Sequence, residues 1–206
     1  MIGHNLRKHA GEIRRYLQNF QYELSPMGIF FPKANALACG TYTHWVTGYE
    51  SETATDHNIV PDEGLNHYLN VVLKGPAGAG TQITAWYLML HSGSGTPTAA
   101  LTAANYNSTL SEITSGSEGY TEANRVLWIG DAVDTVNTEV VNEASPATFT
   151  IITATSLAVN GAGLVSAQTK GSVSGVLLSA GKFSATRNLS NTDEFNLKYK
   201  VDLDAA

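Results

Sequence analysis

Apolar and polar positions alternate through most of the second half of the chain, most cleanly near its end. There Phe195, Leu197, Tyr199, Val201 and Leu203 are interleaved with Asn196, Lys198, Lys200 and Asp202. Successive side chains of a strand point to opposite faces, so this run predicts a strand with one buried and one wet face. Residues 81–91 read differently: Ile83, Ala85, Tyr87 and Met89 alternate with Trp86, Leu88 and Leu90. Apolar on both faces, they predict a strand covered on both sides, central in a sandwich or at an interface. Shorter strand candidates are residues 68–73, 125–129, 139–142, 147–153, 163–167, 174–180 and 182–185. A polar stretch at 101–106 has room for one helical turn. Many short strands broken by Gly, Ser and Asn predict an all-β fold, a β-sandwich or jelly-roll-like domain.

The first residues follow another period. Leu6, Ile13, Leu17 and Phe20 fall on one side of a helix over residues 5–23, with Asn5 as a plausible N-cap. Arg7, Lys8, Arg14 and Arg15 lie mostly off that side, on a face for solvent or for a partner. Pro26 follows, and Gly28 and Pro32 bracket Ile29, Phe30 and Phe31. Residues 34–64 look irregular, yet they contain Tyr42, His44, Trp45 and Tyr49, which need cover from the body or from a neighbouring chain. The organisation expected is an N-terminal helix and extended docking arm over 1–64, then the sandwich over 65–206.

Charge sharpens this division. Only 15% of the residues are charged, so short polar side chains cover much of the surface, and these lose little entropy when a neighbour buries them. Residues 1–33 hold five basic and two acidic residues, so that a body of formal charge −9 follows an arm of +3. A basic arm on an acidic body fits docking on an acidic protein surface; the body would repel phosphate, which disfavours nucleic acid. No run approaches the length of a membrane span, and no secretory signal is visible, so synthesis in the cytoplasm of a host is expected.

Candidate chemistry is sparse. The run from Gly75 to Thr81 resembles a phosphate-binding loop, but Thr81 stands where a lysine is required and a β pattern follows. Cys39 is the only cysteine, so no Cys-based zinc site can form within the chain. Asp56 with His57, and Asp62 and Glu63 with His67, are the nearest approach to a metal cluster and read as solvated polar residues. Asn107 and Asn188 begin glycosylation patterns that mean nothing without secretion. Asp131, Asp134, Glu139 and Glu143 could supply a hydrolase pair but read as an acidic edge. Trp86 and Trp128 read as core; Trp45 suits either core or carbohydrate. No catalytic, metal or cofactor residue is assigned, and a non-enzymatic protein is expected.

Particular stretches carry a resemblance. They are Leu65 to Leu69; Thr81 to Leu88 with Trp86; Tyr120 to Arg125 leading to Trp128; Ala147 to Ile151; Gly175 to Ala180 with Phe183; and Leu197 to Val201. In order and spacing they resemble a family of small tailed-phage virion proteins, described as head decoration, cement or fibre-like proteins. The resemblance covers about two thirds of the chain. The family's turn has a proline beside its arginine, where this chain has Val126. The resemblance implies a β-sandwich that coats or projects from a capsid; the partners expected are a major capsid protein and further copies of the chain, as a homodimer or homotrimer. Relatives sit on heads and on tails, so a receptor- or glycan-binding module of a tail fibre or baseplate is the alternative. Arg7, Lys8, Arg14, Arg15, Phe30, Phe31 and Trp45 are the expected partner-binding residues.

Overall fold

The computed structural model describes residues 22–24, 30–32, 36–74, 82–134 and 138–205. Two units are divided between Ala38 and Cys39 and again between Asp202 and Leu203. In the first, β1 (Tyr22–Leu24) pairs antiparallel with β2 (Phe30–Pro32), Leu24 opposite Phe30 and Glu23 opposite Phe31. Tyr22 and Glu23, expected to end a helix, are therefore in a strand. The rest of that helix, with Arg7, Lys8, Arg14 and Arg15, lies outside the described residues.

The sheet of the second unit takes in β3 (Ala36–Val46), β4 (Ala54–Ile59), β5 (Trp86–His91), β6 (Gly119–Tyr120), β7 (Val126–Trp128), β8 (Glu139–Val141), β9 (Ala147–Ile152), β10 (Leu157–Val165), β11 (Leu177–Leu189) and β12 (Glu194–Ala205). Nine strands follow one path, β6-β9-β12-β3-β4-β11-β10-β5-β7, and β8 pairs with β12 beside it. The fold is all-β, in the form of one curled sheet. Its curl brings Trp128 of β7 to β12, where the indole Nε1–H donates to the Tyr199 carbonyl at 3.1 Å. The expected all-β class holds in this form, a curled antiparallel sheet whose strands bury side chains in one core, and not as a demonstrated two-layer sandwich.

That core follows from the alternation. Phe149 and Ile151 of β9, Phe195, Leu197 and Tyr199 of β12, and Leu88 and Leu90 of β5 are buried together with Tyr42, Val159, Leu164 and Phe183. Met89, between Leu88 and Leu90, points the other way into a second cluster with Leu101, Tyr106, Leu110 and Leu177. The strand expected to be covered on both faces is so covered, although it starts at Trp86 rather than at Thr81. The cover on the second face is α2 (Ala103–Leu110), which buries Ala103, Tyr106 and Leu110 at helical spacing. Thr102 caps it: the Thr102 side chain accepts from Asn105 N while Asn105 Oδ1 accepts from Thr102 N at 2.7 Å.

Two expectations need correction. Residues 34–64 are not an irregular arm, because β3 and β4 lie in the middle of the sheet between β12 and β11. Their polar content misleads: Tyr42 and His44 turn inward from β3, and the neighbours between them are only half covered. Residues 68–73 are not a strand. They belong to α1 (Asp62–Leu69) and the π-helical turn Asn70–Lys74 that continues it. Pro61 before the helix and Asp62 and Glu63 in its first turn favour a helix start, since acidic groups there oppose the helix dipole. Glu63 also accepts from Ala103 N (2.8 Å) and Leu177 N (2.7 Å), tying α1 to α2 and β11.

Candidate functional site

Two hairpin turns meet at one end of the sheet, the β3–β4 turn and the β11–β12 turn. Gly48, at φ 87°, makes the first possible, because residues with a Cβ rarely adopt that conformation. Tyr49 N then donates to Val46 O and Glu52 N to Tyr49 O, both at 2.9 Å. In the second turn Ser190 N donates to Asp193 Oδ2 at 2.7 Å. A bond from Thr47 N to Glu194 O (3.0 Å) fastens one turn to the other.

Between them lies a cavity of about 240 Å³ lined by Trp45, Val46, Tyr49, Glu52, Arg187, Asn188, Ser190, Asp193 and Phe195. Phe195 is fully buried at its base, Trp45 is half-buried, and Tyr49 is 60% exposed. Lys198 Nζ lies 5.3 Å from the Trp45 ring centroid and pairs with Glu143 at 2.8 Å.

Arg187 is held from behind. Its Nε–H donates to His44 Nδ1 at 3.2 Å and its Nη2 to the Glu52 carbonyl at 2.7 Å. His44 in turn lies 3.0 Å from Asp56 Oδ2 through Nε2, and its ring stacks on Phe183 at 3.9 Å between centroids. Burial lowers the His44 pKa below its ordinary value, with the nearby Arg187 charge acting the same way against the raising influence of Asp56. Burial works against the Asp56 carboxylate as well. Hydrogen bonds from His44 and from Ser184 N (2.7 Å) nevertheless hold its pKa below the usual carboxylate value. A neutral imidazole between a carboxylate and a guanidinium fixes the direction of Arg187. Two of the five guanidinium N–H groups are used in doing so, and among the described residues no carboxylate pairs with Arg187 by an ion pair.

Of the residues chosen from sequence, Trp45 is at this cavity. Phe30 and Phe31 are in β2, and the four basic residues of the arm lie outside the described residues. Tyr49, Arg187, Glu52 and Asp193 were not singled out for the site. Arg187 was legible as an oddity, a long cation at the end of a run of small and polar side chains in β11. The carboxylates weighed as a hydrolase pair are occupied otherwise: Glu139 pairs with Lys200 (3.0 Å), Glu143 with Lys198, and Asp131 Oδ2 accepts from Ala144 N (3.1 Å). Asp56 turns inward to His44 while His57 is exposed, and among the described residues no three His, Cys, Asp or Glu side chains gather as a metal site.

A second feature lies on the outside of the sheet. Leu65 (39% exposed), Leu69 (55%) and Val72 (72%) form a stripe along α1 and its extension. Leu127, Ile129 and Val133, on and just after β7, are 45%, 53% and 63% exposed. Trp86 connects the two groups, edge-on to His67 of α1 at 5.8 Å and opposite Trp128 in the β5–β7 register. The chain matches no protein-family model, and no curated protein matches it.

Proposed function

We propose that the chain is a non-enzymatic structural protein of a virion, a decoration or cement protein that binds the outer surface of a capsid and stabilises the shell. The observation that carries this reading is the apolar surface on both sides of Trp86. Six large aliphatic side chains stand exposed there, and among the described residues β7 is the last strand of the sheet path. Exposed apolar groups gathered beside the last strand of a sheet call for a protein partner. The partners proposed are the major capsid protein and further copies of this chain. Low charge density supports such a role, as does the contrast between a basic arm and an acidic body. At roughly 25 cal/mol per Å² of apolar area, a modest contact repeated over a shell sums to a large stabilisation.

Co-sedimentation with undecorated shells tests the proposal, using the full chain, a version lacking residues 1–33, and Leu127→Lys. Saturable binding by the full chain, weakened by salt and by either change, is the expected result. Failure of the full chain to bind shells overturns it. The second reading is a receptor- or glycan-binding module of a fibre or baseplate, and the aromatic and polar cavity between the hairpin turns favours it.

A further inference from the structure

The geometry points to a neutral sugar residue as the ligand of the cavity beside Trp45, an inference that rests on the receptor-binding reading and gives it a substrate class. Four features of the walls select that chemistry. Trp45 and Tyr49 offer flat apolar faces, and an aromatic ring left 60% exposed beside a cavity is suited to stack on the C–H face of a pyranose. The polar groups are mixed: Arg187 donates, Glu52 and Asp193 accept, and Asn188 and Ser190 do both. A hydroxyl donates and accepts at once, so a ring bearing several of them uses such a mixture fully.

Charge then excludes the neighbouring classes. Two carboxylates and one guanidinium leave the walls net negative, which disfavours sugar acids and phosphates, while Arg187 opposes an organic cation. Size sets the limit, since about 240 Å³ is less than the roughly 300–1,000 Å³ that encloses a drug-sized ligand. One ring fits, with the rest of a glycan outside.

The walls are also fixed before any ligand arrives. Arg187 is aimed by His44 and the Glu52 carbonyl, and the Ser190–Asp193 turn is pinned to β9, where Thr192 N donates to Ile151 O at 2.9 Å and Ile151 N to Asp193 O at 2.8 Å. A site held in this way loses little entropy on binding.

The test is NMR titration of the full chain with methyl glycosides of glucose, galactose and mannose, and with glucuronate as the charged comparator. Saturation transfer to at least one neutral glycoside is expected, with shift changes at the Trp45 indole and a dissociation constant on the order of millimolar. Tyr49→Ala, at a residue too exposed to matter for folding, is expected to weaken binding about tenfold. Preference for glucuronate overturns the neutral assignment and leaves a receptor site standing. Absence of binding by all four probes overturns both, and so does binding that Tyr49→Ala leaves unchanged or that shifts residues away from this cavity. Shell co-sedimentation is independent of each of these outcomes.

Discussion

Arg187 Nε donates to His44 Nδ1 across 3.2 Å, which makes that ring nitrogen an acceptor and leaves the proton of the neutral ring on Nε2, facing Asp56. Protonating His44 would place a second hydrogen against the guanidinium. The imidazole is therefore a spacer that works only while neutral.

Acid should weaken the fold through two buried histidines. His44 and His91 are both buried, and burial depresses both pKa values below the ordinary 6.5. His91 also sits between the Gly181 carbonyl (3.1 Å) and the Gly93 carbonyl (3.3 Å), with Lys182 nearby opposing its charge. The unfolded chain takes up these protons near pH 6.5 and the folded chain resists them, so the stability is fully present above 6.5 and is lost as pH falls toward the folded values. Urea midpoints should be level from pH 8 to 7 and decline below 6.5, and His44→Asn should flatten the decline.

Glu112 and Arg125 form a buried pair, each side chain 1% exposed, with bonds of 2.8 Å from Nε to Oε1 and 2.7 Å from Nη2 to Oε2. Arg125 also donates to the Ala167 and Ser172 carbonyls, and Gly171 N donates to Glu112, so the pair holds the loop after β10. Removing one partner strands a charge without water. Arg125→Met should cost about 3–5 kcal/mol in urea unfolding, and Glu112→Leu added to it should recover part of that loss.

Gly161 should tolerate no side chain. A Cβ there would stand 2.2 Å from the Gly181 carbonyl and 2.3 Å from His91 Nε2, so either the β10–β11 pairing or the imidazole must move. Gly161→Ala is expected to cost about 1–3 kcal/mol by thermal melting. Gly116→Ala, where a Cβ would meet nothing within 4 Å, should fall within about 0.5 kcal/mol of the parent.

The strands that sequence located well are those whose period is set by the core. β9 and β12 alternate because Phe149, Ile151, Phe195, Leu197 and Tyr199 enter one cluster. β5 is apolar throughout because Met89 meets α2 while its neighbours meet the sheet interior. β3 and β4 escaped notice because their buried positions include His44 and Asp56, which satisfy each other instead of being apolar. A polar pair spanning two strands leaves no hydrophobic period for either strand to display. α1 misleads for the converse reason: Leu65, Leu69 and Val72 are apolar but exposed, and Tyr68 is the residue of this stretch that packs on the core. Trp45 was visible as an aromatic without a period. Its companions Arg187 and Asp193 lie far along the chain, and only the pairing of distant strands brings them to it.

That pairing also has a kinetic side. In the sheet path β3 lies directly between β4 and β12, so the earliest strand of the sheet has the latest as its neighbour. Loop closure over such a separation has to precede the contacts that reward it, which places this topology among the slow folders. During synthesis β3 and β4 would emerge with one flank of the sheet still unmade, their edges open until the C-terminal strand leaves the ribosome. Thr41 and Thr43 of β3 and the polar run Thr55 to Asn58 of β4 would keep the waiting hairpin from aggregating, a use for those residues that the finished fold does not reveal.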